Sequence, residues 1–334
     1  MSKNHTTDII KRLEGFGMLS EELPNLGHVP TGSYAMNRVI SGNYTEGIPL
    51  GMMTQFYGES STAKTVFVTH ILKEAQAKGY WTLLLDSEFS YDKEFAEALG
   101  IDVDKLHYHS PQTVEDCFET MEEYISKVRA QDKDTPIVIG YDSIAVSPIR
   151  TEAESEDYQG HNMIGAMRAK KIGECLRKAY PLLREKNVAL VVVNQIRHKV
   201  NIQYGSPETP AAGGKALPFY LGVAMTCSTK QNTDHIKNDR GLVIGISGKL
   251  KNKKNKVSKP FAECDFELIF DKGLDPFCGV VKLLVQDGHV EQNGAWYSVC
   301  ETQAKFQSKN FKKLLLDPEQ AGFAPVRKLL GISC

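Results

Sequence analysis

The sequence lacks the features that mark several common protein classes. Its seven cysteines are scattered over 334 residues with no C-x-x-C pair, which argues against a disulfide framework and against a zinc site. It has no run of about 18 apolar residues, and the opening segment MSKNHTTDII has no apolar stretch of the kind found in signal peptides. We therefore expect a cytoplasmic protein with no membrane partner.

An excess of charge of one sign is also missing. The chain carries 40 Lys and Arg against 41 Asp and Glu, a formal net charge of −1. A nucleic-acid partner would therefore have to bind local basic segments rather than the chain as a whole. With 41% hydrophobic residues, the chain can bury a full core, which we expect to form one large domain with smaller attachments.

Short apolar runs alternate with amphipathic segments along the chain. Buried strands are predicted at 56–57, 81–85, 137–141 and 188–193, with helical spacing at 66–78 and 114–129. Further strands are predicted at 222–229, 242–248 and 266–270. Apolar runs separated by helices are typical of a parallel sheet covered on both faces. The predicted fold class is therefore α/β with a mostly parallel central sheet.

The segment GESSTAKT, residues 58–65, directly follows the first run. It matches the phosphate-binding pattern G-x-x-x-x-G-K-[ST] except at Ala63, where the pattern has glycine. We expect its backbone N–H groups to surround phosphates at the start of a helix near Lys64. Lys64 would reach the β- and γ-phosphates, and the Thr65 hydroxyl would be a magnesium ligand. The predicted nucleotide-binding loop comprises Gly58, Glu59, Ser60, Ser61, Thr62, Ala63, Lys64, Thr65 and Val66.

Two questions about this loop stay open at the level of sequence. Alanine can be accommodated at position 63 if its backbone is near helical, since a methyl group costs little where φ is negative. A glycine–serine turn that only resembles a phosphate loop is the alternative.

Polar residues also follow the other three predicted strands. Ligands of open parallel sheets bind at the carboxyl ends of the strands, so we expect these groups to converge on one site. Asp142 suits the carboxylate that holds magnesium through water. The residues at these ends are Asp86 and Glu88, Asp142 and Ser143, and Asn194 and Gln195.

From about residue 28 to 299 the chain resembles the RecA family, DNA-strand-exchange ATPases that form helical filaments. The segments that carry the resemblance are PTGSYAMNRVISG, FYGESSTAKT, LLLDSEF, VIGYDSIA, VVVNQIRHKVNIQYGSPETPAAGGKALPFY, KNKVSKPF and NGAWYS. Ala63 and the DSEF segment at 86–89 are similar to phage recombinases of the UvsX type. The resemblance implies an N-terminal subunit-interaction arm at 1–28, an ATPase and DNA-binding core at 29–272 and a small C-terminal α/β domain at 273–334.

The resemblance also implies roles in ATP hydrolysis, with ATP and Mg²⁺ as cofactors. Glu88 matches the glutamate that activates the attacking water, although a solvated acid on a loop is the alternative. Asp92 and Phe95 match positions that contact adenine. Gln195 matches the glutamine that senses the γ-phosphate and passes its state to the following loop.

The most basic stretch, KLKNKKNKVSK at 249–259, would be read from its pattern alone as a nuclear-localisation or heparin-like patch. Within the family, Lys254 and Lys256 match lysines that cross the filament interface to the ATP of the neighbouring subunit. Phe219 would lie at the same interface. The implied homo-oligomer therefore holds ATP between subunits.

Single-stranded and homologous double-stranded DNA are the implied partners, with single-strand-binding and loading proteins as further ones. A DNA-binding loop is expected near 152–165 and a second one at 196–217, where a plain surface loop is the alternative. On the helix between them a solvated basic face is the alternative to phosphate binding. The predicted DNA-binding residues are Arg168, Lys170, Arg177, Arg197, His198, Lys199, Thr209, Gly213, Gly214 and Lys215.

The sequence therefore predicts an ATP-dependent recombinase that forms filaments on single-stranded DNA and catalyses homologous pairing and strand exchange. Two alternatives remain. A ring-forming helicase motor uses the same core fold, although the 194–220 segment in this form is not expected in one. A non-hydrolysing recombinase paralogue would explain Ala63 as a sign of lost turnover.

Overall fold

The structure is a computed structural model that describes residues 26–155, 161–196, 214, 216–229 and 234–333. Most of the predicted N-terminal arm and of the second DNA-binding loop lies outside the described residues. No helix within the described ranges is both long and apolar enough to cross a lipid bilayer.

The strands in these ranges are numbered in chain order. They are β1 (His28–Val29), β2 (Ile48–Pro49), β3 (Met53–Gly58), β4 (Trp81–Asp86), β5 (Leu106–His109), β6 (Ile137–Asp142), β7 (Val188–Gln195), β8 (Leu221–Ser228), β9 (His235–Lys237), β10 (Val243–Asn255), β11 (Glu263–Ile269), β12 (Gly273–Leu274), β13 (Val290–Asn293), β14 (Trp296–Val299) and β15 (Lys305–Phe306).

The helices of the same ranges are numbered in the same way. They are α1 (Tyr34–Ser41), α2 (Lys64–Ala77), α3 (Lys93–Ala98), α4 (Val114–Gln131), α5 (Arg150–Ala153), α6 (His161–Glu185), α7 (Leu217–Tyr220), α8 (Val280–Gln286), α9 (Phe311–Leu316) and α10 (Ala324–Leu329). Short 3₁₀ turns lie at Ser308–Asn310 and Ala321–Phe323.

One large sheet organises the described residues. Its strand order is β12-β11-β10-β8-β3-β7-β6-β4-β5, and β9 pairs with β10. All neighbouring pairs from β8 through β5 are parallel, whereas β8 to β12 and β9 pair antiparallel. The α/β class with a mostly parallel central sheet is confirmed, and the four predicted apolar runs lie in β3, β4, β6 and β7.

Both faces of the parallel strands are covered, which explains their continuous apolar sequences. One core lies under α2, where Phe67 packs on Phe56 and Phe266 with ring centroids 5.6 and 5.1 Å apart. The other core lies under α4 and α6, where Phe118 meets Tyr141. These two layers fix the strands, and therefore the positions of the residues at their ends.

Several strands differ from the sequence-based expectation, among them β10 and β5. β10 extends beyond the predicted 242–248 and carries the basic segment as far as Asn255. β5, with the sequence LHYH, was not predicted because it is an edge strand with three exposed residues and no apolar run. It pairs with β4 in parallel, so that Tyr108 lies opposite Leu84.

The C-terminal part of the chain contacts the core through polar and aromatic groups. β12 still belongs to the large sheet, and α8 packs on α1. Directly after α8, the Asp287 carboxylate accepts two hydrogen bonds of 2.7 Å from Arg38 and one of 2.8 Å from the Tyr44 hydroxyl. A small antiparallel sheet of β13, β14 and β15 follows. The predicted domain boundary between 272 and 273 stays a prediction.

Candidate functional site at the carboxyl ends of the parallel strands

The carboxyl ends of β3, β7, β6 and β4 lie side by side at one edge of the sheet. Hydrogen bonds join the residues that follow these ends. Thr65 Oγ1 donates to Asp142 Oδ2 at 2.5 Å, and Ser143 Oγ donates to Glu88 Oε1 at 2.7 Å. Gln195 Nε2 also donates to Glu88 Oε1, at 3.3 Å. The structure therefore brings together the polar residues of all four strand ends.

The loop after β3 can approach the sheet closely only because it begins with glycine. A Cβ atom at Gly58 would lie 2.3 Å from the Cys227 carbonyl oxygen and 3.0 Å from Thr62 Oγ1. The loop ends at α2, where Phe67 N donates to Ala63 O. The N–H groups of the first turn before Phe67 precede this first intrahelical bond and point out of the helix end. Such a helix start is suited to bind an anion.

The condition for an unstrained alanine at position 63 is not met. Ala63 has φ 63° and ψ 16°, in the left-handed region rather than at a negative φ. The physical reason is that the chain must reverse immediately before α2, a position that glycine fills without strain. A left-handed alanine costs about 1 kcal/mol. Its methyl group is partly buried against the core, which offsets part of this cost.

The amine of Lys64 lies inside the loop. Its Nζ donates to the Glu59 carbonyl oxygen at 2.5 Å and to Thr62 Oγ1 at 3.2 Å, and the residue is 7% exposed. Burial lowers the pKa of Lys64, while the nearby carboxylates of Asp142 and Glu88 act in the opposite direction. A phosphate entering the loop would supply the negative charge that this buried ammonium group favours.

Asp142 and Asp86 are buried carboxylates at these strand ends, with exposures of 6% and 2%. Burial raises the pKa of Asp142 to about 6; the hydrogen bond from Thr65 lowers it, and the charges of Glu88 and Asp86 raise it further. A hydroxyl and a carboxylate in contact are the hard oxygen ligands that Mg²⁺ prefers. Because neighbouring acids oppose the ionisation of Asp142, a divalent cation fits the charge of this site.

Glu88 is oriented by two donors on neighbouring strand ends, Ser143 and Gln195. Ser143 was predicted to lie at a strand end, but without a role. The buried Asn194 was also left without a role, and its side-chain oxygen accepts from Gln195 N at 2.9 Å. Neither contact has a sequence signal beyond the polar residue that ends an apolar strand.

The predicted adenine-contacting residues lie together at the start of α3. Asp92 is the N-cap residue of this helix and accepts from Glu94 N at 3.4 Å and Phe95 N at 3.3 Å. The Phe95 ring packs edge-on against Tyr91, with centroids 6.2 Å apart. The carboxylate of Asp92 therefore already has a local partner in the helix end.

The three predicted interface residues are also neighbours. Lys254 Nζ donates to the carbonyl oxygen of Pro218, and Lys256 Nζ donates to that of Phe219 at 3.5 Å. The Phe219 side chain is 77% exposed. Lysines and an exposed aromatic ring thus form one surface on α7 and the end of β10.

The predicted DNA-binding residues are only partly described. Arg168 on α6 donates from its NH2 group to the carbonyl oxygens of Ile144 and Ala145, at 3.0 and 2.6 Å, while Lys170 and Arg177 are exposed. Gly214 has a left-handed backbone, with φ 50°. The predicted residues Arg197, His198, Lys199, Thr209, Gly213 and Lys215 lie outside the described residues.

Comparison with known proteins finds, over most of the chain, the same family that the sequence motifs resemble. Residues 13–275 match the family described as RecA N-terminal domain. The chain is 33% identical to Protein RecA of Thermus aquaticus over 290 residues, which cover 86% of this chain and 81% of that protein. It is 31% identical to Protein RecA of Aquifex pyrophilus over 289 residues, with 86% and 78% covered.

Proposed function

The chain belongs to the RecA family, and we propose that it hydrolyses ATP at the strand-end site described above to drive recombination. It is a DNA-dependent ATPase that acts as a recombinase, forming filaments and catalysing strand exchange. The observation that carries the site assignment is the contact of the loop residue Thr65 with Asp142, beside Lys64 and Glu88. The similarity to phage recombinases stays a prediction.

ATP would bind with its phosphates in the loop of residues 58–66. Lys64 would turn its amine from the oxygens of Glu59 and Thr62 to the β- and γ-phosphates, because phosphate is a stronger partner for an ammonium group. Thr65 would hold Mg²⁺ directly and Asp142 would hold it through water. The ion would neutralise phosphate charge that develops during transfer.

Glu88 would act as the general base. Its carboxylate would accept a proton from the water that attacks the γ-phosphate, with ADP as the leaving group. Ser143 and Gln195 limit the rotation of this carboxylate by donating to the same oxygen. This orientation supports the role, because a base must lie within hydrogen-bond reach of the proton it removes.

Gln195 would couple the nucleotide to DNA. Its amide donates to Glu88 at 3.3 Å, and it is the last residue of β7, directly before the predicted second DNA-binding loop. Turning this amide toward a γ-phosphate oxygen would break its bond to Glu88 and shift the start of the loop. ATP and DNA would then favour the same arrangement, so each would raise the affinity for the other.

The remaining assignments complete a filament. Lys254, Lys256 and Phe219 would contact the neighbouring subunit, with the lysines reaching the ATP of that subunit. Single-stranded and homologous double-stranded DNA would bind to α6 and the two predicted loops, through Arg168, Lys170, Arg177 and the predicted loop residues. Single-strand-binding and loading proteins are further proposed partners, in the cytoplasm.

The direct test is ATP hydrolysis with and without single-stranded DNA, by the wild type and by Glu88→Gln. We expect DNA-stimulated hydrolysis by the wild type and a fall of roughly 10²-fold in Glu88→Gln, with ATP and DNA binding retained. Glu97→Gln is the matched control, since Glu97 lies on α3 in an exposed ion pair with Lys93. Wild-type turnover in Glu88→Gln would show that another group activates the water.

The same assay separates the two alternatives. Filaments without any DNA-stimulated hydrolysis would indicate a non-hydrolysing paralogue. Closed rings that unwind duplex DNA processively would indicate a helicase motor.

A further inference from the structure

The turn that carries Glu88 is built around the buried carboxylate of Asp86. Asp86 Oδ1 accepts from Glu88 N at 3.0 Å, and Oδ2 accepts from Ser90 N at 3.0 Å and from Tyr91 N at 2.9 Å. Within this turn Phe89 has a left-handed backbone, with φ 54°. A non-glycine residue in this region is strained, so the shape of the turn depends on the bonds to Asp86.

One further donor reaches Asp86 from outside the turn. Tyr108 on β5 donates its hydroxyl to Asp86 Oδ2 at 3.0 Å. Ser110 Oγ in turn donates to the Tyr108 hydroxyl oxygen at 2.7 Å, which leaves the phenolic hydrogen directed at the carboxylate. Hydrogen bonds to a charged acceptor are about twice as strong as neutral ones. The neighbouring strand therefore helps to fix the position of Asp86.

The aromatic rings add a second connection. The Tyr108 ring stacks on Tyr91 with centroids 6.5 Å apart and an interplanar angle of 26°. The Tyr91 hydroxyl donates to Thr69 Oγ1 at 3.3 Å, and Thr69 donates to the Thr65 carbonyl oxygen at 2.9 Å. The turn is thus held between β5 on one side and the phosphate-loop helix α2 on the other.

We infer that Tyr108 is a positioning residue for ATP hydrolysis, which acts through Asp86 to hold Glu88 in place. The inference rests on the proposed role of Glu88 as the base. Tyr108 contacts Asp86 but lies on β5 beyond the turn, so its effect on the reaction passes through the backbone of the turn. Small displacements of a catalytic group reduce the rate strongly. Loss of the Tyr108 hydroxyl would therefore lower turnover without weakening ATP binding.

Tyr108→Phe removes this hydroxyl and keeps the ring that stacks on Tyr91. Because Tyr108 is 48% exposed, the change leaves the buried core intact. We expect kcat for DNA-stimulated ATP hydrolysis to fall about tenfold, with KM for ATP and the affinity for DNA unchanged. A raised KM with an unchanged kcat would overturn the inference, because it would indicate a nucleotide contact. A kcat equal to that of the wild type would overturn it as well.

Tyr124→Phe is the matched control. The Tyr124 hydroxyl lies near the other end of β4, 3.3 Å from the Thr82 carbonyl oxygen and 3.0 Å from His107 Nδ1. We expect the kcat of this variant to equal that of the wild type. An equal fall in both variants would mean that removing any hydroxyl near β4 slows the enzyme, and the inference would be wrong. Ser110→Ala provides a second variant at an exposed site, with an expected fall of about twofold and an unchanged KM.

A double-mutant cycle separates positioning from general loss of structure. If Tyr108 acts only through Glu88, Tyr108→Phe in the Glu88→Gln background should cause no further fall in the single-turnover rate. The same tenfold fall in both backgrounds would overturn the inference. The Glu88→Gln variant alone tests the proposed function, so failure of the base assignment and failure of the Tyr108 inference give different results.

Discussion

The parallel and antiparallel halves of the large sheet both carry charged residues, but they hold them in different places. In the parallel half, β3 to β7, charged groups are buried beside the strand ends: Lys64, Asp86 and Asp142 are each less than 10% exposed. In the antiparallel half, β9 to β12, charges lie along the strands. Lys249 and Lys251 approach Glu263 at 3.7 and 3.9 Å with side chains 40–56% exposed.

The difference shows that position, rather than residue type, decides what a charge can do. Exposed pairs such as Lys251 and Glu263 contribute about 0.2–1 kcal/mol each, because water screens them. Burial at the strand ends instead shifts the pKa of Lys64 down and that of Asp142 up. Burial makes the charged forms of Lys64 and Asp142 unfavourable, and a bound phosphate and a bound cation would offset this cost. Shifted pKa values of this kind are expected at a functional site.

The largest contrast should come from removing one lysine in each half. Lys64→Ala removes a donor and a positive charge from the phosphate loop, so we expect ATP-dependent filament assembly on DNA to be abolished. Lys251→Ala removes only an exposed ion pair and should assemble like the wild type. Electron microscopy and sedimentation with ATP and single-stranded DNA give the measurement. Normal ATP-dependent filaments of Lys64→Ala would remove the site assignment.

Much of the parallel half could be predicted from sequence, for a physical reason. Strands buried on both faces need continuous apolar runs, and the polar residue that ends each run faces the site. The strands β3, β4, β6 and β7 could be predicted in this way, together with the positions of Glu88 and Gln195 at strand ends. Features that depend on tertiary contacts could not. Ala63 adopts a left-handed backbone because the chain must reverse there, and Tyr108 lies on an edge strand that has no apolar pattern.

The antiparallel half was less predictable because its strands are half exposed. β10 alternates exposed and buried residues only from Lys249 to Lys253, within a run rich in lysine that reads as a basic patch in the sequence alone. The buried Asn252 interrupts this run and donates to the Val39 carbonyl oxygen at 3.1 Å. Its partner lies 213 residues away along the chain, and local sequence spacing carries no information about such a pair.

A smaller effect is expected for Gln195, through which we propose that bound ATP raises the affinity for DNA. Gln195→Ala removes the amide that contacts Glu88, and ATP should still bind nearly normally. We expect the variant to lose the gain in single-strand affinity that ATP induces, about 5- to 150-fold for linked sites. DNA affinity is measured with ADP and with a non-hydrolysable ATP analogue at one fixed salt concentration. Gln303→Ala, which loses only a bond to the Cys300 carbonyl oxygen, is the control.

If Gln195→Ala keeps the wild-type ratio of these two affinities, the amide only supports the structure and the coupling lies elsewhere. If Gln303→Ala loses the ratio as well, the assay reports general destabilisation.

The smallest expected effect is on the stability of the folded protein, for which one carboxylate of each half is replaced. The pKa of Asp142 is raised by burial from its usual 3.8 to about 6. The stability that the protonated group contributes is therefore fully present below about pH 4 and is lost as the pH rises through 6. Asp142→Asn keeps a neutral side chain at every pH and an oxygen that accepts from Thr65. Without nucleotide or Mg²⁺, it should stabilise the protein by about 1–3 kcal/mol at pH 8 and by much less at pH 4.5.

Asp265→Asn provides the matched change in the antiparallel half, where the carboxylate lies 3.7 Å from Lys249 and 3.9 Å from Lys282. Its side chain is 39% exposed, so we expect a loss of stability of less than about 1 kcal/mol that shrinks at high salt. Thermal unfolding of both variants at the two pH values measures the contrast.

Adding Mg²⁺ and ATP should make the wild type more stable than Asp142→Asn at pH 8, because the wild type gains binding energy that the variant does not. If Asp142→Asn is equally stabilised at both pH values, the Asp142 carboxylate of the free wild-type protein is not strained. The charged residues of the two halves would then differ in position but not in their effect on stability.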